Sequence, residues 1–178
     1  EPLQPAKTPT VQVPPGSGPR HLLFSKDGKH AWLTLEMVAQ VAVFDYHDGV
    51  FKETQTVDLK NQDTQQKVGG GGLHTSPDGK FLYVANRGEA NQLLVFAIDG
   101  KGQLKEIQRR SVEGMEPREF RFEPSGHFML MANQKRLIRK PANWAIRCRK
   151  STSIRRRTSV SSLANSCRST LKPRFSGA

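Results

Sequence analysis

The sequence predicts an all-β protein: a β-propeller fragment of about two and three-quarter four-stranded blades, followed by an irregular basic tail. Three observations predict it. One segment recurs in three ungapped copies at a spacing near 50 residues. Each copy is a tight Asp-Gly or Ser-Gly turn leading into an apolar, β-prone run. No helical period appears between residues 1 and 134.

The copies are Ser25–Glu36, Ser76–Arg87 and Glu123–Gln134, with turn glycines Gly28, Gly79 and Gly126 set 51 and 47 residues apart. A short strand precedes the turn, His21–Phe24 in the first copy and Phe120–Phe122 in the third. A third strand follows at Gln40–Tyr46 and Gln92–Ile98, and a fourth, more polar one at Phe51–Leu59 and Leu104–Val112. The polar alternation of the fourth strand suits an outer, half-wet edge. A β-sandwich would need the matched third strands to be coincidence. The run Gly69–Gly72 lacks the Lys-Ser/Thr of a phosphate-binding loop. It is expected to be a flexible entry into the second blade, where a ligand could approach the backbone.

Charge divides the chain. The net charge of +12 suggests a nucleic-acid partner, but residues 135–178 carry 13 Lys or Arg and no Asp or Glu. Residues 1–134 therefore hold the other 15 basic residues and all 16 acidic ones, a net of −1. The partial propeller is thus expected over 1–134 and a basic Ser/Arg-rich tail over 135–178, where alternation and Asp-Gly turns stop together. Three readings of the tail compete: an extension that binds nucleic acid, membrane or an acidic partner, a disordered solvated one, and an out-of-frame stretch. The last is preferred, because codons compatible with Lys140–Ile154, read two bases out of frame, permit a string resembling the outer strand Gly102–Val112. No nucleic-acid partner is expected unless the tail is genuine.

Other classes are narrowed quickly. No run approaches the 18 or more apolar residues of a membrane span, so no membrane partner is expected. Residues 1–15 are Pro-rich and show no signal peptide; the expectation is cytoplasmic, with the periplasm as the alternative. Both cysteines, Cys148 and Cys167, lie in the tail, so the body carries no disulfide framework. The sequence sets no oligomeric state.

Strands one and two of a blade are antiparallel, so residues opening the first lie beside those closing the second. This places Arg20 and His21 beside Glu36, Gly71–Gly72 beside Arg87, and Arg118 beside Gln134. Strand one is innermost in a propeller, so these groups are expected at one mouth of the central channel, with His74 on the inner strand of the second blade. Arginines suit bidentate carboxylate or phosphate binding. His21 can serve as general base near neutrality, with Glu36 orienting it or holding its proton. The repeat position of Glu36, Arg87 and Gln134 holds three different chemistries, which favours a site over packing. No metal-ligand spacing and no Gly-x-Ser-x-Gly nucleophile motif is present.

At these residues the chain resembles the seven-bladed lactonase family, which includes propeller-type 6-phosphogluconolactonases and carboxymuconate cyclases. The matching motifs are Gly16–His21, Leu35-Glu36, Leu73-His74 with Ser76–Gly79, Asn86–Gly88, Pro117-Arg118 and Ala132–Gln134, within residues 9–134. The resemblance implies a lactonase-type hydrolase opening a small anionic lactone without metal or cofactor, of which this chain is an inactive fragment. The expected catalytic residues are His21, Glu36 and Arg118; Arg20, His74, Arg87 and Gln134 are expected to bind substrate. Lactone-forming cyclase activity and a non-catalytic binding propeller are the alternatives. One departure is Gly72, where many members place an acidic residue.

Overall fold

A computed structural model describes residue 4 and residues 10–61, 67–135 and 145–147. Its strands form three antiparallel sheets, each a blade built from sequence neighbours. The first blade comprises β1 (Pro19–Phe24), β2 (His30–Leu35), β3 (Gln40–His47) and β4 (Val50–Asp58). The second comprises β5 (Val68–Thr75), β6 (Phe81–Gly88), β7 (Gln92–Ile98) and β8 (Leu104–Ser111). The third contains β9 (Met115–Phe122), β10 (Phe128–Lys135) and the short β11 (Ala145–Arg147). The third sheet takes up a third strand from within the tail, three residues long, pairing Phe128 with Arg147 through Leu130 with Ala145.

The recurring turn explains why the copies fold alike. Gly28, Gly79 and Gly126 all sit at φ between +71° and +75°, where a side chain would be strained. In the first two copies a serine hydroxyl closes the turn: His30 N donates to Ser25 Oγ at 2.9 Å and Phe81 N to Ser76 Oγ at 3.0 Å. In the third copy Glu123 substitutes its carboxylate for that hydroxyl, accepting from Phe128 N at 3.2 Å and Ser125 N at 2.8 Å. Donation from the Ser125 hydroxyl first, then from the Ser125, His127 and Phe128 main-chain N–H groups, holds the Glu123 carboxyl down to about 2.

The blades stack face to face with the apolar positions of each sheet between them. Trp32, Val41 and Val43 of the first blade pack against Leu82, Val84, Leu94 and Phe96 of the second, all essentially inaccessible. Each such side chain contributes roughly 1.5–3 kcal/mol by leaving water. Polar groups seal the same junction: Trp32 Nε1 donates to the Gly102 carbonyl at 2.9 Å. Gln55 grips Leu104 twice, donating to its carbonyl at 3.0 Å and accepting from its N–H at 2.7 Å. The second junction is smaller, formed by Ala85, Leu93, Val112, Phe120 and Met129.

The glycine run differs from expectation. Gly69–Gly72 is no flexible entry but the body of β5, paired with β6 across a bulge between Gly70 and Leu73. The reason is crowding. A Cβ at Gly71 would lie 3.0 Å from Ala85 Cβ and from the Pro117 carbonyl oxygen, and one at Gly72 would lie 3.0 Å from Glu119 Oε1. Neighbouring inner strands come too close there for side chains.

Candidate active site

In the aligned copies, Arg20, Gly71 and Arg118 hold one position on the inner strands β1, β5 and β9, and His21, Gly72 and Glu119 hold the next. Pairing brings the ends of the second strands beside them. Glu36 N donates to the Gly18 carbonyl at 2.8 Å, which fixes the end of β2 against the start of β1. On this frame Glu36 is clasped from two blades. Its Oε2 lies 3.4 Å from Arg20 Nε, and its Oε1 pairs with Arg87 Nη2. All three side chains are largely buried.

Arg118 stands apart from that clasp, donating from Nη1 to Gln134 Oε1 at 3.4 Å as its pairing predicts. A cleft of about 200 Å³ opens beside the clasp, lined among others by Glu36, Lys67, Gly69, Arg87 and Glu116. Glu116 accepts from the Gly88 N–H at 3.4 Å and lies 3.9 Å from Lys135 Nζ.

The electrostatics are those of gathered cations. Burial, then the charge of Arg118, pulls the Arg20 guanidinium below its usual range, and Glu119 partly offsets this. Burial, then Arg20 and Arg118, does the same to Arg87, offset by Glu116. Two donors of the clasp, Arg20 Nη1 and Arg87 Nε, are buried without a hydrogen-bond partner among the described residues. An anion with several oxygens could satisfy such donors.

His21 lies in the same field. Burial lowers its pKa below 6.5, followed by Arg20, while Glu119 raises it and His74 and Arg118 lower it. Its main chain is fixed by Thr34, whose Oγ1 accepts from His21 N at 3.0 Å and donates to the His21 carbonyl at 3.4 Å. His74 is placed on β5 with its ring edge-on to Phe120, centroids 5.0 Å apart. Its Nε2 lies 2.6 Å from Glu119 Oε1.

Two sequence expectations are corrected here. Glu36 does not orient His21; both of its oxygens are taken by arginines, because Arg20 and Arg87 converge on it from adjacent blades. Arg87 pairs with Gly69 rather than with Gly71–Gly72; the bulge between Gly70 and Leu73 accounts for one residue of that offset, and the register of the hairpin for the rest. At this mouth the carboxylate that meets an imidazole is Glu119, which the sequence reading passed over, as it did Glu116 and Lys67. Glu119 had a usable signal. It shares a repeat position with His21 and Gly72, the same variety that singled out Glu36, Arg87 and Gln134. Among the described residues no three His, Cys, Asp or Glu gather as a metal site, and no helix is long and apolar enough to cross a membrane.

Known proteins resemble the chain across its blades. The family model described as lactonase, seven-bladed β-propeller, matches residues 1–137. A 6-phosphogluconolactonase of Formosa agariphila is 37% identical over 132 residues, covering 72% of this chain and 36% of the relative. That of Bacillus subtilis is 36% identical over 124 residues, covering 68% of this chain and 35% of the relative. Among solved structures, the periplasmic gluconolactonase of Pseudomonas aeruginosa superposes with a TM-score of 0.72 at 56% identity, covering 75% of this chain and 38% of that one. The chain thus spans little more than a third of the length of the relatives it matches.

Proposed function

Because the chain belongs to the seven-bladed β-propeller lactonase family, we propose that its blades supply part of the site of a lactonase-type hydrolase opening a small, anionic, sugar-derived lactone. The observation that carries this reading is the clasp of Glu36 by Arg20 and Arg87 with donors to spare. Glu36 sets the spacing of two guanidiniums. Their free N–H groups and Arg118 bind the carboxylate or phosphate of the substrate and the oxyanion that forms on the lactone carbonyl. His21, held neutral near pH 7 by burial and its cationic neighbours, takes a proton from the attacking water. The carbonyl carbon gains the hydroxyl, the ring C–O bond breaks, and the imidazolium returns the proton to the departing alkoxide. His74 and Gln134 complete the substrate-contacting wall.

The test is kinetic, in a full-length relative with equivalent residues. Arg20→Ala should lower kcat/KM roughly 100-fold, whereas removing the exposed Lys80 by Lys80→Ala should leave it unchanged. Equal activity in both variants would overturn the role given to the clasp, and absence of lactone hydrolysis by the full-length relative itself would favour a non-catalytic binding propeller. Since burial lowers the His21 pKa, the acid limb of kcat/KM should have its midpoint below pH 6.5. A midpoint above that value would remove His21 from the role. The finer proposal is that the 178-residue chain alone has no turnover, because two four-stranded blades and a partial third leave the channel wall open. Lactone hydrolysis by the chain itself would refute it. We place the protein in the cytoplasm, with the periplasm, the location given for the Pseudomonas neighbour, as the alternative; fractionation of the native host separates them.

A further inference from the structure

The inner-strand position held by His21, Gly72 and Glu119 has a consequence for the acid–base chemistry of the channel mouth. Glu119 comes from the third blade, yet its carboxylate lies over the second. The two oxygens sit 3.0 and 3.1 Å from where a Cβ of residue 72 would be. Glycine at 72 therefore leaves the space that the carboxylate occupies. From there Oε1 reaches His74 Nε2 at 2.6 Å, while the Phe120 N–H donates to the same oxygen at 3.0 Å. The Phe120 ring, edge-on at 5.0 Å, holds the imidazole plane.

These contacts settle which nitrogen carries the proton. A carboxylate accepts and does not donate, so Nε2 must bear hydrogen, and the lone pair of neutral His74 is on Nδ1. No hydrogen bond to His74 Nδ1 is formed among the described residues, so that lone pair is unused. Glu119 is ionised for this role. Burial raises its pKa, but donation from His74 and Phe120 N, then the charges of His74 and His21, outweigh it and lower the net value.

Resting on the lactonase reading for its purpose but not for its geometry, we infer that Glu119 is a positioning residue. Seated in the space left by Gly72, it fixes His74 as a second base of the channel mouth, with Nδ1 as the proton acceptor. His21 is the other imidazole it influences. The charged and titratable groups acting on His21 are Arg20, Arg118, His74 and Glu119, and Glu119 alone raises its affinity for a proton.

The 178-residue chain is tested with no lactone present, so the result is independent of turnover. Long-range ¹H–¹⁵N spectra of the imidazoles read tautomer and titration directly. In the parent chain His74 should be the Nε2–H tautomer. Glu119→Gln should convert it towards a mixture and move the His21 titration to lower pH. Gly72→Ala, whose methyl forces the carboxylate aside, should act in the same direction with smaller size. An Nδ1–H tautomer in the parent, or spectra unchanged in both variants, would overturn the placement of Glu119. In a complete ring carrying this pair, Glu119→Gln should reduce kcat more than KM and shift the acid limb downward. A shifted tautomer with unaltered kinetics would refute the catalytic use of His74 while leaving the geometry standing. Lost activity with an unchanged tautomer would overturn the inference and spare the lactonase reading.

Discussion

The two blade junctions hold together differently. Between the first and second blades eleven buried residues form one apolar layer, and Trp32 and Gln55 tie it with hydrogen bonds to Gly102 and Leu104. Between the second and third blades five of the described residues are buried in the shared cluster, and beside them lie the imidazole of His74 and the carboxylate of Glu119. Burial of apolar area is the dominant source of cohesion, so the first junction should be the stable one. The second trades apolar area for titratable groups, as sites of chemistry commonly do.

The largest effect should come from Trp32→Ala, which empties the middle of the first junction and orphans the Gly102 carbonyl. A loss of about 3–5 kcal/mol is expected from the denaturant midpoint of the chain. Phe120→Ala at the second junction should fall at the low end of that range, about 3 kcal/mol, because its layer is thinner; a cost equal to that at Trp32 would erase the contrast. Amide exchange sharpens the same point, with β2, β3, β6 and β7 protected longer than β9 and β10. Gln55→Ala should cost about 1–3 kcal/mol, since it leaves both main-chain groups of Leu104 without their partner. The smallest effect belongs to Glu123→Ser, which restores the hydroxyl of the other two turns. Near neutral pH its melting temperature should match the parent. Because the Glu123 carboxyl is lowered from 4.5 to about 2, its contribution is complete above 4.5 and is lost as pH falls towards 2. The parent should therefore lose stability more steeply across that window than the variant.

Most of the blade architecture was legible because it is local. Turn glycines and period-two alternation fix a hairpin within a dozen residues, so β2, β3, β6 and β7 fall close to where the pattern put them. Strand ends were less so. β9 begins at Met115, five residues before the expected Phe120, because Glu116 and Pro117 break the alternation without breaking the pairing. The glycine run misled for a related reason: its four residues carry no side-chain signal, and only the approach of neighbouring strands explains them. At the site, Arg20, Glu36, Arg87, Arg118 and Gln134 were legible from antiparallel pairing within a blade. The partner of each carboxylate was not. Glu36 meets an arginine, and Glu119 a histidine, from the neighbouring blade, and single-blade reasoning cannot set contacts across blades.

Gly72 and Glu119 occupy one volume between them, and this couples their histories. A bulky residue installed at 72 while glutamate remains at 119 meets a carboxylate already in place. The same residue installed after 119 has been shortened no longer meets that carboxylate. The order of substitution therefore decides which intermediates are tolerated, and the two positions should covary across sequences even though they lie 47 residues apart. Libraries that randomise this wall should vary the pair together.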